Sequence, residues 1–212
     1  MLGYPVAVTA VRILLVCTMN QCRSPMAAAL LRGLAEDAGV PLVVQSAGFG
    51  PSGVHAQPAA VKVMSRRRYR LDGHVSTRVT PTMVTTVDLI ITMERRHVQE
   101  LVALSAASWP RTFALRDLVE RVDAAGPRGS GQSPLSWLQR LHDGRLPAGA
   151  MSDGGLHDIA DPTGGPRRGY AATRDDLQAL LGRFVLLLQG REPDEPPPRR
   201  GGLLRRLAPS AP

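Results

Sequence analysis

The chain is short of cysteine. It holds two, Cys17 and Cys22, five positions apart. Two thiols cannot build a disulfide framework or a four-thiolate zinc site. In an otherwise cysteine-free chain they suggest a reducing compartment and a working thiol. Aromatic residues make up only 4%, so the core must come from Leu, Val, Ile, Ala and Met. No apolar run reaches the length needed to span a bilayer, and MLGYPVAVTAVRILLVC at the start lacks a basic leader and a cleavage-site pattern. The expectation is a cytoplasmic protein with no membrane partner. Lysine is scarce too: Arg almost entirely replaces it in a chain of net charge +8 and pI near 10.8. The arginines are spread along the chain and no nucleic-acid motif accompanies them, which argues against a nucleic-acid partner. Such a field still draws anionic or phosphorylated ligands.

What is present is an alternation of strands and helices. At 212 residues the chain suits one domain with a real core, or at most two small ones. Residues 1–10 read as a lead-in. VRILLVC (11–17) is a short β-branched and Leu-rich run of the kind buried at the centre of a sheet. Ser24 and Pro25 follow as an N-cap and a first helical position, and residues 26–39 continue at helical spacing until Gly39. Further strands are expected over 42–48, 87–93 and 111–115, and helices over 57–69 and 94–107. From Asp123 to Gly155 the composition turns to Gly, Pro, Ser and Arg, an insertion with one short helix over 133–144 that offers a wall or lid for a substrate. A last helix is expected over 170–189. Residues 190–212 read as a disordered Pro/Arg-rich tail. The fold class expected is α/β, with about four parallel strands covered by helices on both faces, and one domain over 11–189.

In such sheets ligands bind beyond the carboxyl ends of the strands. Cys17 stands at that end of the first strand, and Arg23 six positions later, where a helix begins. A strand–loop–helix junction leaves backbone N–H groups unpaired at the helix start, and a curled loop gathers them into an anion nest. The helix dipole adds positive potential, and Arg23 supplies a two-pronged clamp suited to phosphate oxygens. A thiol on the floor of this cradle is favoured as the thiolate. A nucleotide P-loop would need a Gly-Lys-Ser/Thr ending, which is missing here. The nest already carries the positive charge, so no metal or other cofactor is called for.

V-C-T-M-N-Q-C-R-S-P resembles the signature of the low-molecular-weight protein tyrosine phosphatases: Cys, five residues, Arg, then Ser or Thr. SAG at 46–48, HVSTR at 74–78, ITME at 91–94 and DP at 161–162 follow in that family's order. The resemblance covers roughly residues 11–189 and implies the family's three-layer sandwich. It implies a cysteine-dependent phosphatase acting on a phosphorylated protein residue, phosphotyrosine first, through a cysteinyl-phosphate intermediate. Cys17 would be the nucleophile. The backbone amides of Thr18, Met19, Asn20, Gln21, Cys22 and Arg23 would hold the phosphate oxygens, and Arg23 would clamp two of them. Ser24 would donate to the Cys17 sulfur. Asp161, in the Gly-rich turn DPTGGP, would act as general acid and then general base. Asp158 is its nearest rival but does not precede Pro. Asn20 would hold a left-handed turn with Ser46 and His74 in support. Cys22 would capture oxidised Cys17 as a reversible disulfide. A monomer or weak dimer is expected.

Three positions depart from the family pattern. Met19 stands where a small residue is usual, and would cost about 1–2 kcal/mol if its φ were positive. Thr163 replaces the aromatic that walls the phenol slot in tyrosine-directed members. Gln21 is polar where many of those members are apolar. These differences keep a phosphoarginine phosphatase open as an alternative. A related arsenate reductase using a small external thiol and a phosphate-binding module without turnover are the remaining rivals.

Overall fold

The computed structural model describes residues 10–65, 69–146 and 155–192. The lead-in, the Pro/Arg-rich tail, the basic rear end of the helix expected over 57–69 and part of the insertion fall wholly or mostly outside that range. Four strands, β1 (Val11–Cys17), β2 (Leu42–Gly48), β3 (Leu89–Thr92) and β4 (Thr112–Ala114), form one parallel sheet in the order β2-β1-β3-β4. β1 is flanked on both sides, which is why its sequence is nearly continuous in apolar residues. Its side chains alternate with period two. Ile13, Leu15 and Cys17 face the larger core, and Leu14 and Val16 the smaller.

The larger core lies under α1 (Arg23–Ala38), α2 (Pro58–Met64), α5 (Leu115–Ala125) and α7 (Arg167–Gln189), where Met26, Leu30, Phe113, Leu181 and Phe184 are fully buried. The smaller lies under α3 (Pro81–Thr85) and α4 (Arg95–Leu104), with Val84 and Leu101 at its centre. Each such side chain contributes about 1.5–3 kcal/mol by leaving water. The result is the three-layer α/β sandwich expected. α6 (Pro134–Arg140) stands between α5 and α7 in the chain. Among the described residues no helix is long and apolar enough to cross a membrane.

Several boundaries differ from the sequence reading. Ser24 does not cap α1: Cys22 occupies the cap position, no side chain caps there, and the Ser24 hydroxyl turns inward instead. Gly39 closes the helix as expected, at φ 67°, with its N–H reaching Ala35 and Glu36 carbonyls. α2 stops at Met64. The helix expected over 94–107 ends at Leu104, and a 3₁₀ segment, Ala106–Arg111, carries the chain into β4. α5 was not expected at all, although Leu115, Leu118, Val119 and Val122 repeat at i, i+3, i+4 and i+7 and are all buried. Its last turn takes in Asp123, so the irregular insertion starts later, at Gly126. The short helix within it, α6, is capped by the Ser133 hydroxyl accepting from Ser136 N.

The insertion lies against the β4 edge rather than over Cys17. Trp137 Nε1 donates to Gly126 O at 3.2 Å. The Arg145 guanidinium stacks 4.0 Å from the Trp109 ring and 3.9 Å from the Phe113 ring, and donates to Thr112 O at 2.8 Å. No described residue of the insertion lines the cavity above Cys17, so its described part is neither wall nor lid there.

Candidate active site

β1 delivers Cys17 to the carboxyl edge of the sheet, and residues 18–22 curl back before α1 begins. The curl is set by where its carbonyls go. Thr18 O accepts from Phe49 N (2.7 Å) and Gly50 N (2.9 Å), Gln21 O from Gln57 N (2.9 Å) and Cys22 O from Met26 N (3.1 Å). Asn20 O faces His74 Nε2 at 2.8 Å. A trans peptide points its N–H opposite to its C=O. Carbonyls engaged by the surrounding elements therefore turn the following N–H groups toward the inside of the loop, the arrangement of an anion nest. Gly48 makes the fit possible: a Cβ there would stand 2.7 Å from Asn20 N and 2.8 Å from Cys17 O.

Asn20 is the pivot. Among the described residues it is the only non-glycine with positive φ, at 54°. Asparagine tolerates this conformation because its short side chain can be held by local bonds. Here Nδ2 donates to Ser24 Oγ (2.9 Å) and Ser46 Oγ (3.0 Å), and Oδ1 accepts from Thr77 N (2.8 Å). Met19 has no positive φ, so the anticipated backbone penalty does not arise. Its side chain stands at the cavity rim, against Gly50.

Cys17 Sγ lies 3.0 Å from Ser24 Oγ. The same hydroxyl also reaches Ala47 O at 3.2 Å and accepts from Asn20. One hydroxyl hydrogen thus has two acceptors, and a thiolate is the stronger. Cys22 is buried and its Sγ rests 3.9 Å from Met26 Sδ. Burial, with Asp161 and Cys17 adding to it, pushes this thiol up to about 12, so it stays protonated at neutral pH. Both cysteines are free.

Arg23 is buried and held on three sides. Nη1 donates to Glu94 Oε1 at 2.5 Å and to Ile159 O at 3.0 Å, and Nη2 to Asp161 Oδ2 at 2.7 Å. Glu94, the residue that precedes α4, also pairs with Arg96. Burial opposes its charge, but Arg96 and Arg23 outweigh burial and hold its carboxyl at about 2. Ile159 N donates to Met93 O at 2.8 Å, and this contact brings Asp161 over the cavity. The rival Asp158 is engaged elsewhere, with Oδ1 accepting from Arg95 N at the start of α4 (2.8 Å). His97 Nε2 meets Thr18 Oγ1 at 3.0 Å, and Arg96 Nη2 donates to that oxygen at 2.8 Å. Burial drops the His97 imidazole to about 4, so it is neutral at pH 7.

These residues enclose a cavity of about 150 Å³. Its lining joins the buried Cys17, Cys22 and Arg23 to the more exposed Met19, Arg96, Asp161 and Thr163, with Thr18, Gln21 and Gln57 half-buried between them. Ser24, Asn20, Ser46 and His74 stand behind the loop and bond to it or to one another. Glu94, His97, Arg96 and Gln57 received no role from sequence reasoning. ITME marked where Glu94 falls, but nothing in the sequence paired it with Arg23. Gln57 and Arg96 carried no local signal.

The model of the low molecular weight phosphotyrosine protein phosphatase family matches residues 12–129. A protein-arginine-phosphatase of Bacillus subtilis (strain 168) is 31% identical over 84% of this chain and 96% of its own. A probable low molecular weight protein-tyrosine-phosphatase, EpsP, of Ralstonia nicotianae is 39% identical over 64% of this chain and 93% of its own. A solved structure of the YwlE arginine phosphatase is also similar, a cysteine-to-serine variant with a phosphorylated active-site serine. It is 28% identical, with a TM-score of 0.65, and the match covers 84% of this chain and 95% of that one. Because the family model spans more than half of the chain and the Bacillus relative most of it, the chain belongs to the low molecular weight phosphotyrosine protein phosphatase family, whose named relatives here are protein-tyrosine- and protein-arginine-phosphatases.

Proposed function

We propose that this protein removes phosphate from a phosphorylated protein residue by way of a cysteinyl-phosphate on Cys17. The observation that carries the reading is that Cys17, Arg23 and Asp161 line one small cavity at the carboxyl edge of the sheet. Phosphate enters the nest of inward N–H groups and takes over the Arg23 Nη2 that Asp161 holds in the free protein. Cys17 Sγ attacks phosphorus, and the S–P bond forms as the bond to the leaving atom breaks. Released from Arg23, Asp161 takes up a proton from solvent as phosphate binds and gives it to that atom, a contribution of typically about 10²–10⁴-fold. The Asp161 carboxylate then takes a proton from water, whose oxygen attacks phosphorus and expels the thiolate. Ser24 donates its hydrogen to the departing sulfur, which lies within reach. Arg23 and the loop amides meet the charge that builds on the oxygens, where one well-placed donor is worth about 10²–10³-fold. The phosphorylated serine of the YwlE variant supports covalent transfer to this position.

The substrate reading favours phosphoarginine over phosphotyrosine. No aromatic side chain is among the described residues lining the cavity, so a phenol ring would find no stacking partner. Gln21, Gln57 and Thr163 instead present polar atoms suited to a guanidine. The Bacillus relative along most of the chain is a protein-arginine-phosphatase. When a peroxide oxidises Cys17 to the sulfenic acid, the Cys22 sulfur in the same loop gives up its proton, attacks the Cys17 sulfur and expels water, leaving a reversible disulfide. Two free cysteines fit a reducing cytoplasm. The test is a panel of phosphoarginine and phosphotyrosine peptides, with thiol-dependent arsenate reduction alongside, for wild type and Cys17→Ser. Phosphoarginine should be released fastest, and Cys17→Ser should turn over neither peptide. Undiminished hydrolysis by Cys17→Ser, or arsenate reduction with no dephosphorylation, would sink the reading.

A further inference from the structure

Asp161 does not hang free over the cavity. Its Oδ1 accepts from Thr163 N at 3.1 Å and meets Thr163 Oγ1 at 2.7 Å. Gln57 Nε2 reaches the same Thr163 oxygen at 3.2 Å, and Gln57 Oε1 meets the Tyr170 hydroxyl at 2.6 Å. Tyr170 is buried on α7, and Gln57 N is fixed to the phosphate loop through Gln21 O. The chain of bonds therefore runs from the core to the carboxylate.

Its direction is forced. An ionised carboxylate only accepts, so the Thr163 hydroxyl hydrogen must point at Asp161 Oδ1. Thr163 Oγ1 can then only accept from Gln57, which must present its Nε2 hydrogen. Gln57 Oε1 is left to accept from Tyr170 O–H. Each group along the line donates to the next, and the order Tyr170, Gln57, Thr163, Asp161 admits no reversal while Asp161 is ionised.

We infer that Thr163 is a positioning residue for Asp161: with Gln57 and Tyr170 behind it, Thr163 engages Oδ1 and leaves Oδ2 as the oxygen that exchanges the catalytic proton. Oδ1 already receives two hydrogens. Oδ2 faces Arg23 in the free protein and is released when phosphate takes that guanidinium. The departure from an aromatic at position 163 thus has a positive role. The hydroxyl aims the acid instead of walling a ring. The inference rests on the reading of Asp161 as the general acid.

The test compares kcat/KM for phenyl phosphate, whose leaving group needs a proton, with that for p-nitrophenyl phosphate, whose leaving group departs more readily without one. kcat/KM is the right quantity because it covers the step in which that group leaves. Thr163 is exposed, so Thr163→Val leaves the core untouched. It should lower kcat/KM for phenyl phosphate about ten- to hundredfold more than for p-nitrophenyl phosphate, the scale of one lost bond to a charged group. Thr163→Ser should restore the ratio, and Asp161→Asn should show the same selectivity in larger measure. If Asp161→Asn is selective while Thr163→Val slows both substrates equally, Thr163 does not aim the acid and the inference is overturned. If Asp161→Asn is itself unselective, Asp161 is not the acid, and the underlying reading fails with it.

Discussion

Replacing Asn20 tests how the phosphate loop is held. The residue is fully buried and combines a φ of 54° with three side-chain hydrogen bonds, to Ser24, Ser46 and Thr77. Asn20→Gly keeps the left-handed turn and loses the bonds. At about 1 kcal/mol each, the loss is about 3 kcal/mol. Asn20→Ala loses the same bonds and also strains the turn. Set against the greater chain freedom of glycine, the extra loss is about 1 kcal/mol net. Asn20→Asp keeps the acceptor for Thr77 N but turns an acceptor toward Ser24 and adds negative charge beside the Cys17–Ser24 pair. With that charge fully buried, it should be no more stable than the alanine variant and far less active. Urea unfolding gives the stabilities, and kcat/KM for p-nitrophenyl phosphate the activities. In a domain of this size about 3 kcal/mol corresponds to roughly 6–12 °C in Tm. An alanine variant as stable as wild type, or more stable than the glycine variant, would refute the account of the turn.

Two further perturbations follow from the buried charges. Glu94→Gln keeps the shape against Arg23 but removes the counter-charge. Stability at pH 7 should fall by about 2–3 kcal/mol and kcat/KM by tenfold or more, roughly one or two charge-assisted bonds. Glu94 is held at about 2, below its unfolded value of 4.5, so its contribution is complete above pH 4.5 and is lost as pH falls through 2. The gap between wild type and Glu94→Gln in chemical unfolding should close over that window; a gap independent of pH would contradict the ion pair. His97 is fully buried and titrates near 4, against 6.5 when unfolded. Below pH 6.5 the unfolded chain therefore takes up a proton that the native state refuses, and stability falls as pH drops. Between pH 7.5 and pH 5 the loss is about 2 kcal/mol. Urea unfolding of His97→Gln should lack that slope, and equal slopes in the two proteins would reject the assignment.

The sequence alone determined the sheet's central strand, the thiol at its end and the guanidinium at the start of the next helix. These features are local: a run of seven residues, a fixed spacing, a turn residue. It also determined the layered α/β class, because strands and helices alternate along the chain. It placed Asp161 ahead of Asp158 by position in a motif, and the geometry shows why the two differ: Asp158 holds the start of α4 while Asp161 faces Arg23. Ser24 had two readings, a local one as the cap before Pro25 and one from the family resemblance as a donor to Cys17; the fold leaves the cap unused and sets the hydroxyl 3.0 Å from the sulfur. α5 is written in its apolar spacing, but the Gly- and Pro-rich stretch that follows it masks that pattern.

What tertiary structure decided are the partners that lie far apart in sequence. Glu94 reaches Arg23 across 71 positions and Asp161 reaches it across 138. Gln57 meets Tyr170 across 113. No periodicity or spacing encodes such pairs, because they form where separate segments are brought to one edge of a parallel sheet. Local pattern determined which groups could do chemistry. Long-range packing decided which of them touch, and so which oxygen, hydroxyl and guanidinium are aimed at the same point.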